Sequence, residues 1–117
     1  MPRMLLRLWL LLKSYWVLEE KTEMTAYIIA RIDVTDLEDY KLYASQTVAL
    51  AEKAGGTFLA KGGAMTQVEG SGPDRHVLIS FPTRQQALDW YHSPEYQAIL
   101  PIALRSSRRD LVIVDGV

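Results

Sequence analysis

The chain has 117 residues, 49% of them hydrophobic and 23% charged, with a formal net charge of −1. These values describe one ordinary globular domain and exclude the disordered class. The one basic cluster, Arg105-Ser106-Ser107-Arg108-Arg109, reads as a solvated helix end, so nucleic acid is not an expected partner. Cysteine is absent, which removes disulfides, thiolate catalysis and thiolate metal sites together; it fits a reducing compartment, and the expected location is the cytoplasm.

Residues 1–23 differ in composition from the rest of the chain. Met1 to Lys21 is rich in Leu and Trp, with Arg3, Arg7, Lys13 and Lys21 interspersed. Arg7 interrupts the apolar run, no small-residue cleavage site comes after it, and Leu8 to Leu12 is far too short to span a bilayer. Neither a standard secretory signal nor a membrane anchor is expected. An amphipathic surface helix, an atypical targeting segment and a start codon assigned upstream of Met24 remain as readings. The domain is placed at residues 24–117, with 1–23 as an extension outside it.

Tyr27 to Val34 alternates and is rich in β-formers, which predicts a strand. Thr35-Asp36-Leu37-Glu38 has the form of a capping box, and Leu37, Tyr40, Tyr43 or Ala44, Val48 and Ala51 recur at helical spacing up to a Gly55-Gly56 stop. Thr57 to Lys61 predicts a second strand, continuing past a Gly62-Gly63 irregularity through Met65 to Glu69. Gly70-Ser71-Gly72-Pro73-Asp74 is a turn, and His76 to Phe81 is the third strand. Thr83-Arg84-Gln85-Gln86 opens a helix that stops before Ser93-Pro94, where Ser can cap a new short helix and Pro fits its first turn. Pro101 should end or kink that helix at Leu100. Leu111 to Val114 is the last strand.

The order β-α-β-β-α-β, with right-handed crossovers, predicts an α+β, ferredoxin-like fold: an antiparallel-rich four-stranded sheet with the helices on one face. Period two assigns the sides of the strands. Ile28, Ala30, Ile32 and Val34, Phe58 and Ala60, Val77, Ile79 and Phe81, and Val112 and Val114 are expected to meet the helices. The opposite face then mixes Ile29, Leu59, Leu78, Leu111 and Ile113 with Tyr27, Arg31, His76 and Lys61. Five aliphatics at roughly 1.5–3 kcal/mol each are too much apolar surface to leave in water. A second copy of the sheet packed face to face solves the problem, so a homodimer is the expected partner state.

Several segments together resemble the domain of unknown function 1330 family. They are Ala26-Tyr27-Ile28-Ile29-Ala30-Arg31-Ile32-Asp33-Val34, Tyr40-Lys41-Leu42-Tyr43, Gly55-Gly56, Lys61-Gly62-Gly63, Phe81-Pro82, Trp90-Tyr91-His92-Ser93-Pro94-Glu95-Tyr96-Gln97 and Val114-Asp115-Gly116-Val117. The resemblance covers Met24 to the end and leaves Met1 to Glu23 outside. It implies a dimeric α/β barrel, and related barrel groups imply cofactor-independent chemistry such as isomerisation or oxygenation of an activated substrate. Lys61 stands where arginine is expected before the two glycines, and lysine cannot make a bidentate fork.

The candidate site residues are chosen by chemistry and register. His92, at the helix break, and His76, at a strand start, can transfer protons near working pH, against the plainer reading of a helix-end histidine and a strand at the barrel rim. Arg31, mid-strand on the face of the sheet away from the helices, needs a carboxylate or a ligand anion. Asp33 and the dimer partner are the structural alternatives to a ligand-anchoring role. Tyr27, Tyr40, Tyr43, Trp90, Tyr91 and Tyr96 are aromatics with a polar tip that can shape a cavity, although helical spacing also makes most of them core. Two separated histidines without cysteine support no metal site, and no cofactor motif is present. The expectation is a cytoplasmic homodimer holding a small aromatic or carboxylated molecule between sheet and helices, either as a cofactor-independent enzyme or as a non-catalytic ligand-sensing or assembly module.

Overall fold

The computed structural model describes residues 24–117, and the expectations for residues 1–23 lie outside them. The elements run β1 (Ala26–Val34), α1 (Leu37–Lys53), β2 (Thr57–Lys61), β3 (Arg75–Phe81), α2 (Arg84–Tyr91), α3 (Pro94–Ser106) and β4 (Ser107–Asp115). The four strands form one antiparallel sheet in the order β2-β3-β1-β4. This is the expected ferredoxin-like βαββαβ arrangement, with its second helix divided in two.

The core lies between one face of the sheet and the helices. Ala26, Ile28, Ala30 and Ile32 of β1 and Ile79 and Phe81 of β3 are buried there, against Tyr40, Tyr43, Trp90, Tyr96 and Ile99. Strict alternation in β1 makes this unavoidable, because only one of its two faces is continuously apolar.

The helix boundaries obey their capping chemistry. Asp36, not Thr35, caps α1, accepting from the Asp39 N–H at 3.2 Å. The N–H groups of Thr35 and Asp36 both donate to the Ser106 carbonyl, at 2.8 and 3.1 Å, and hold the chain outside the helix one residue longer than the capping box implies. Gly55, at φ +96, ends α1 in the left-handed region, and the Gly56 N–H returns to the Ala51 carbonyl at 2.8 Å. Thr83 caps α2 and Ser93 caps α3, with Pro94 in the first turn, as expected. Pro101 does not stop α3, which runs on to Ser106. Pro101 and Gln97, whose carbonyl the proline leaves without an N–H, are both exposed, so water can take that carbonyl while Ile99, Leu100 and Ala103 stay buried.

Two strands differ from the sequence reading in register. β2 ends at Lys61, and Met65 to Glu69 is not a strand. An irregularity between Phe58 and Ala60 pairs Ala60 with Leu78 and Lys61 with Val77, so Lys61 turns to the helix side. β4 begins directly after α3, at a buried Ser107 that pairs with Val34. From there Arg109, Leu111 and Ile113 face the helices, while Val112 and Val114 are 53% and 45% exposed. The expected sides of β4 are therefore inverted. Leu111 to Val114 is apolar throughout, so alternation cannot choose a face, and a shift of one residue exchanges every side chain.

Candidate active site between sheet and helix

A cavity of about 390 Å³ opens between α1 and the sheet. Ile28, Ala30 and Ile32 floor it from β1, and Tyr40, Tyr43 and Thr47 line it from α1. Spacings of three and four residues put those α1 side chains on one stripe. Trp90 lines the cavity from α2 and is buried, and its Nε1–H has no acceptor among the described residues.

The charged part of the lining is cationic. Lys41, Lys61, Arg75 and Arg109 border the cavity, and no aspartate or glutamate does so among the described residues. Residues 24–117 contain six arginines. Arg31 pairs with Asp110, Arg84 with Asp115, Arg105 with Asp39 and Arg108 with Asp33. The two that have no carboxylate within ion-pair distance among the described residues, Arg75 and Arg109, are the two that line the cavity. Both lie against aromatic faces, Arg75 5.5 Å from the Tyr40 ring centroid and Arg109 5.3 Å from that of Tyr43.

Tyr96 organises one end. Its hydroxyl lies 2.7 Å from the Tyr43 hydroxyl and accepts from Arg109 Nη2 at 3.0 Å. Its ring packs 4.3 Å from Trp90 and 5.3 Å from Tyr91. Burial, with the neighbouring Tyr43 adding to it, pushes the Tyr96 phenol far above its ordinary range, so it stays protonated and can donate. Burial likewise raises the Tyr40 phenol, while the adjacent Arg75 and, with it, Arg109 oppose the shift.

The expected site residues divide accordingly. Tyr40, Tyr43 and Trp90 line the cavity, and Tyr96 stands behind them. Tyr91 and His92 lie outside it, in a groove between α2, α3 and β4 that also contains Arg109. Tyr27, Arg31 and His76 are on the other face of the sheet, in register with Ser80, His76 and Arg31. Arg31 makes a two-pronged pair with Asp110, at 3.2 and 3.0 Å, not with Asp33. Cross-strand neighbours on one face are closer than residues two apart on one strand. His76 is half-buried there, with its Nδ1 lacking a partner among the described residues. The anchor expected at Arg31 is thus behind the sheet, and Arg75, Arg109, Lys61 and Lys41 border the cavity in its place. The register of β2 concealed Lys61, the early start of β4 concealed Arg109, and Arg75 adjoins a turn where no periodic pattern assigns it a face. Among the described residues no group of histidine, aspartate or glutamate side chains is arranged to hold a metal ion. No helix among them is long and apolar enough to cross a membrane.

The chain belongs to the DUF1330 family (domain of unknown function), whose model matches residues 25–117. Its fold is similar to that of a protein of unknown function from Rhodopseudomonas palustris, at 13% identity over 81% of this chain and 84% of that one, with a TM-score of 0.67. It is also similar to SnoaB, a cofactor-independent oxygenase from Streptomyces nogalater, at 10% identity over 80% and 94%, with a TM-score of 0.58. A dimeric ferredoxin-like protein of unknown function from Thermobifida fusca matches at 16% identity over 80% and 92%, with a TM-score of 0.55. At these identities the likeness is one of fold. No curated protein matches the chain.

Proposed function

We propose that this DUF1330 family member is a cytoplasmic homodimer that binds a small, apolar-bodied carboxylate in the cavity between α1 and the sheet, with Arg109 as its anchor. The observation that carries this is the unbalanced charge of the lining. Arg109 is half-buried and its polar partner is a neutral phenol, so most of its donors are left for an incoming anion. An apolar floor with a few convergent polar groups is the usual composition of a small-molecule site.

The Tyr96 hydroxyl accepts from Arg109 and shares a hydrogen bond with the Tyr43 hydroxyl in which either can donate. When Tyr96 donates, the Tyr43 proton is available to an oxygen of the ligand. In the catalytic form of this reading the pair steadies an enolate during cofactor-independent isomerisation or oxygenation, a chemistry suggested by the likeness to SnoaB. His92 borders the neighbouring groove beside Arg109, outside the cavity, so the catalytic form has no histidine base in contact with the ligand. The non-catalytic reading, a ligand-sensing dimer, uses the same cavity without turnover. The dimer is supported by the open sheet face and by the dimeric likeness from Thermobifida fusca.

The test is a thermal-shift screen of small aromatic and aliphatic carboxylates on the parent and on Arg109→Met. A ligand at a hundred times its Kd should stabilise the parent by about 2.7 kcal/mol. The variant loses the hydrogen bond to Tyr96, at a cost of about 1–3 kcal/mol, and should still fold and lose the shift. Carboxylates that bind the variant as tightly as the parent would remove Arg109 from the site. Turnover of a bound carboxylate would select the catalytic form, and its loss in His92→Ala would bring His92 into the site.

A further inference from the structure

We infer that Arg75, seated between Tyr40 and Gly62, is a second anion contact in the cavity, and that the ligand is a diacid whose two acidic groups reach the guanidiniums flanking the central strand. This rests on the reading that the cavity binds carboxylates. The cavity contains the same pair of groups twice. Tyr43 carries the Arg109 guanidinium against its ring, and Tyr40, three residues earlier on the same stripe of α1, carries that of Arg75. Arg75 extends from β3 and Arg109 from β4, and in the order β2-β3-β1-β4 these strands flank β1, whose side chains floor the cavity. Both are cross-strand partners of Ile32, so the two guanidiniums approach the same level of that floor from its two sides.

The seat of Arg75 is built for the guanidinium. Gly62 has φ +68, and a Cβ added there would fall onto the guanidinium, 2.7 Å from Cζ. Only glycine leaves that space free, and only glycine adopts that backbone angle without strain. The Gly62 N–H donates to the His76 carbonyl at 2.8 Å, which fixes the glycine beside the arginine's own strand. Arg75 Nε is buried there with no acceptor among the described residues. A donor withdrawn from water without a partner is costly unless something arrives to accept from it. No carboxylate of the described residues borders the cavity to do so. Lys61, also on the cavity side after the β2 irregularity, adds positive charge near the same end. A monoacid held at Arg109 leaves this end unanswered, whereas a diacid satisfies both.

Matched probes test it by isothermal titration: benzoate against isophthalate, and hexanoate against adipate, on the parent, Arg75→Met, Arg75→Lys and Gly62→Ala. The diacids should bind the parent roughly tenfold or more tighter than the matched monoacids, the scale of one charge-assisted contact. Arg75→Met should bring diacid affinity down to the monoacid level and leave monoacid affinity unchanged, and Arg75→Lys should recover only part of the difference. Gly62→Ala, which displaces the guanidinium without removing it, should behave like Arg75→Met. Circular dichroism identifies any variant that has lost its fold, and the diacid-to-monoacid ratio on the parent stands without the variants. Monoacids and diacids binding equally well, both dependent on Arg109, would overturn the diacid and leave the carboxylate reading intact. Binding of neither class would overturn both.

Discussion

Tyr96 is fully buried, and its hydroxyl joins a tyrosine from α1 to an arginine from β4. Tyr96→Phe keeps the ring packing and removes that junction, so it should destabilise the protein by about 1–3 kcal/mol in denaturant melts. The pH dependence has a definite sign. The folded phenol titrates far above the unfolded value of about 10, so its contribution is complete below pH 10 and falls as pH rises beyond it. Alkaline melts of the parent should lose stability at up to about 1.4 kcal/mol per pH unit for this group, and Tyr96→Phe should show a shallower loss. An equal slope in both proteins would assign the loss elsewhere. Ser93 is the other residue with a divided task, accepting from the Tyr96 N–H at 3.2 Å and donating to the Trp90 carbonyl at 2.6 Å. Removing its hydroxyl in Ser93→Ala should cost roughly 0.5–2 kcal/mol. The Trp90 to Gln97 segment was legible as a helix break in the sequence, because capping chemistry is local. That Tyr96 would meet Arg109 was not, because thirteen residues and a change of element separate them.

Between elements, the pair of Asp39 in α1 and Arg105 in α3 laces the helices together, with Nη2 and Oδ1 2.9 Å apart. Arg105 holds the Asp39 carboxyl below the ordinary carboxylate range. Its contribution is therefore complete above the unfolded value near 4 and is lost as pH falls through the lower folded one. Asp39→Asn should melt below the parent at neutral pH, with the gap closing on acidification. A gap that persists at pH 2 would point to packing and not charge. The strands differ in how openly they show their faces. β1 announced its faces because Ile28, Ala30 and Ile32 form an unbroken apolar row while the opposite row, Tyr27, Ile29, Arg31 and Asp33, is mixed. β4 did not, because Leu111 to Val114 offers an apolar residue on both sides. Its face is set where α3 passes into β4 with no loop between, at the buried Ser106 and Ser107. In β2 the irregularity at Leu59 does the same to Lys61. The first brings Arg109, read in the sequence as part of a solvated helix end, to the cavity, and the second brings Lys61 there from the expected outer face.

At the scale of the molecule, the sheet face turned away from the helices carries Ile29, Leu59, Val112 and Val114 among its exposed apolar residues, beside the Arg31–Asp110 and Arg108–Asp33 pairs. Its membership differs from the one read in the sequence, with Val112 and Val114 in place of Leu111 and Ile113, but the physical reason for covering it is unchanged. Ile29→Asp and Val112→Asp place a charge in the middle of that face and should each give a monomer or an insoluble chain by sedimentation. A soluble, unchanged dimer in both would locate the interface elsewhere. The sequence by itself determined the order of the elements, the burial of β1 and the helix caps, and it marked Tyr40, Tyr43 and Trp90 as cavity candidates. Those features depend on residues within a turn or two of one another, or on a period that the chain displays openly. Only the tertiary structure decided which cations share the cavity, why Arg31 is not among them, and what Gly62 is for. Strand register and a guanidinium lying on a glycine are contacts between distant parts of the chain, and an all-apolar strand or a run of arginines is compatible with either face until its neighbours are in place.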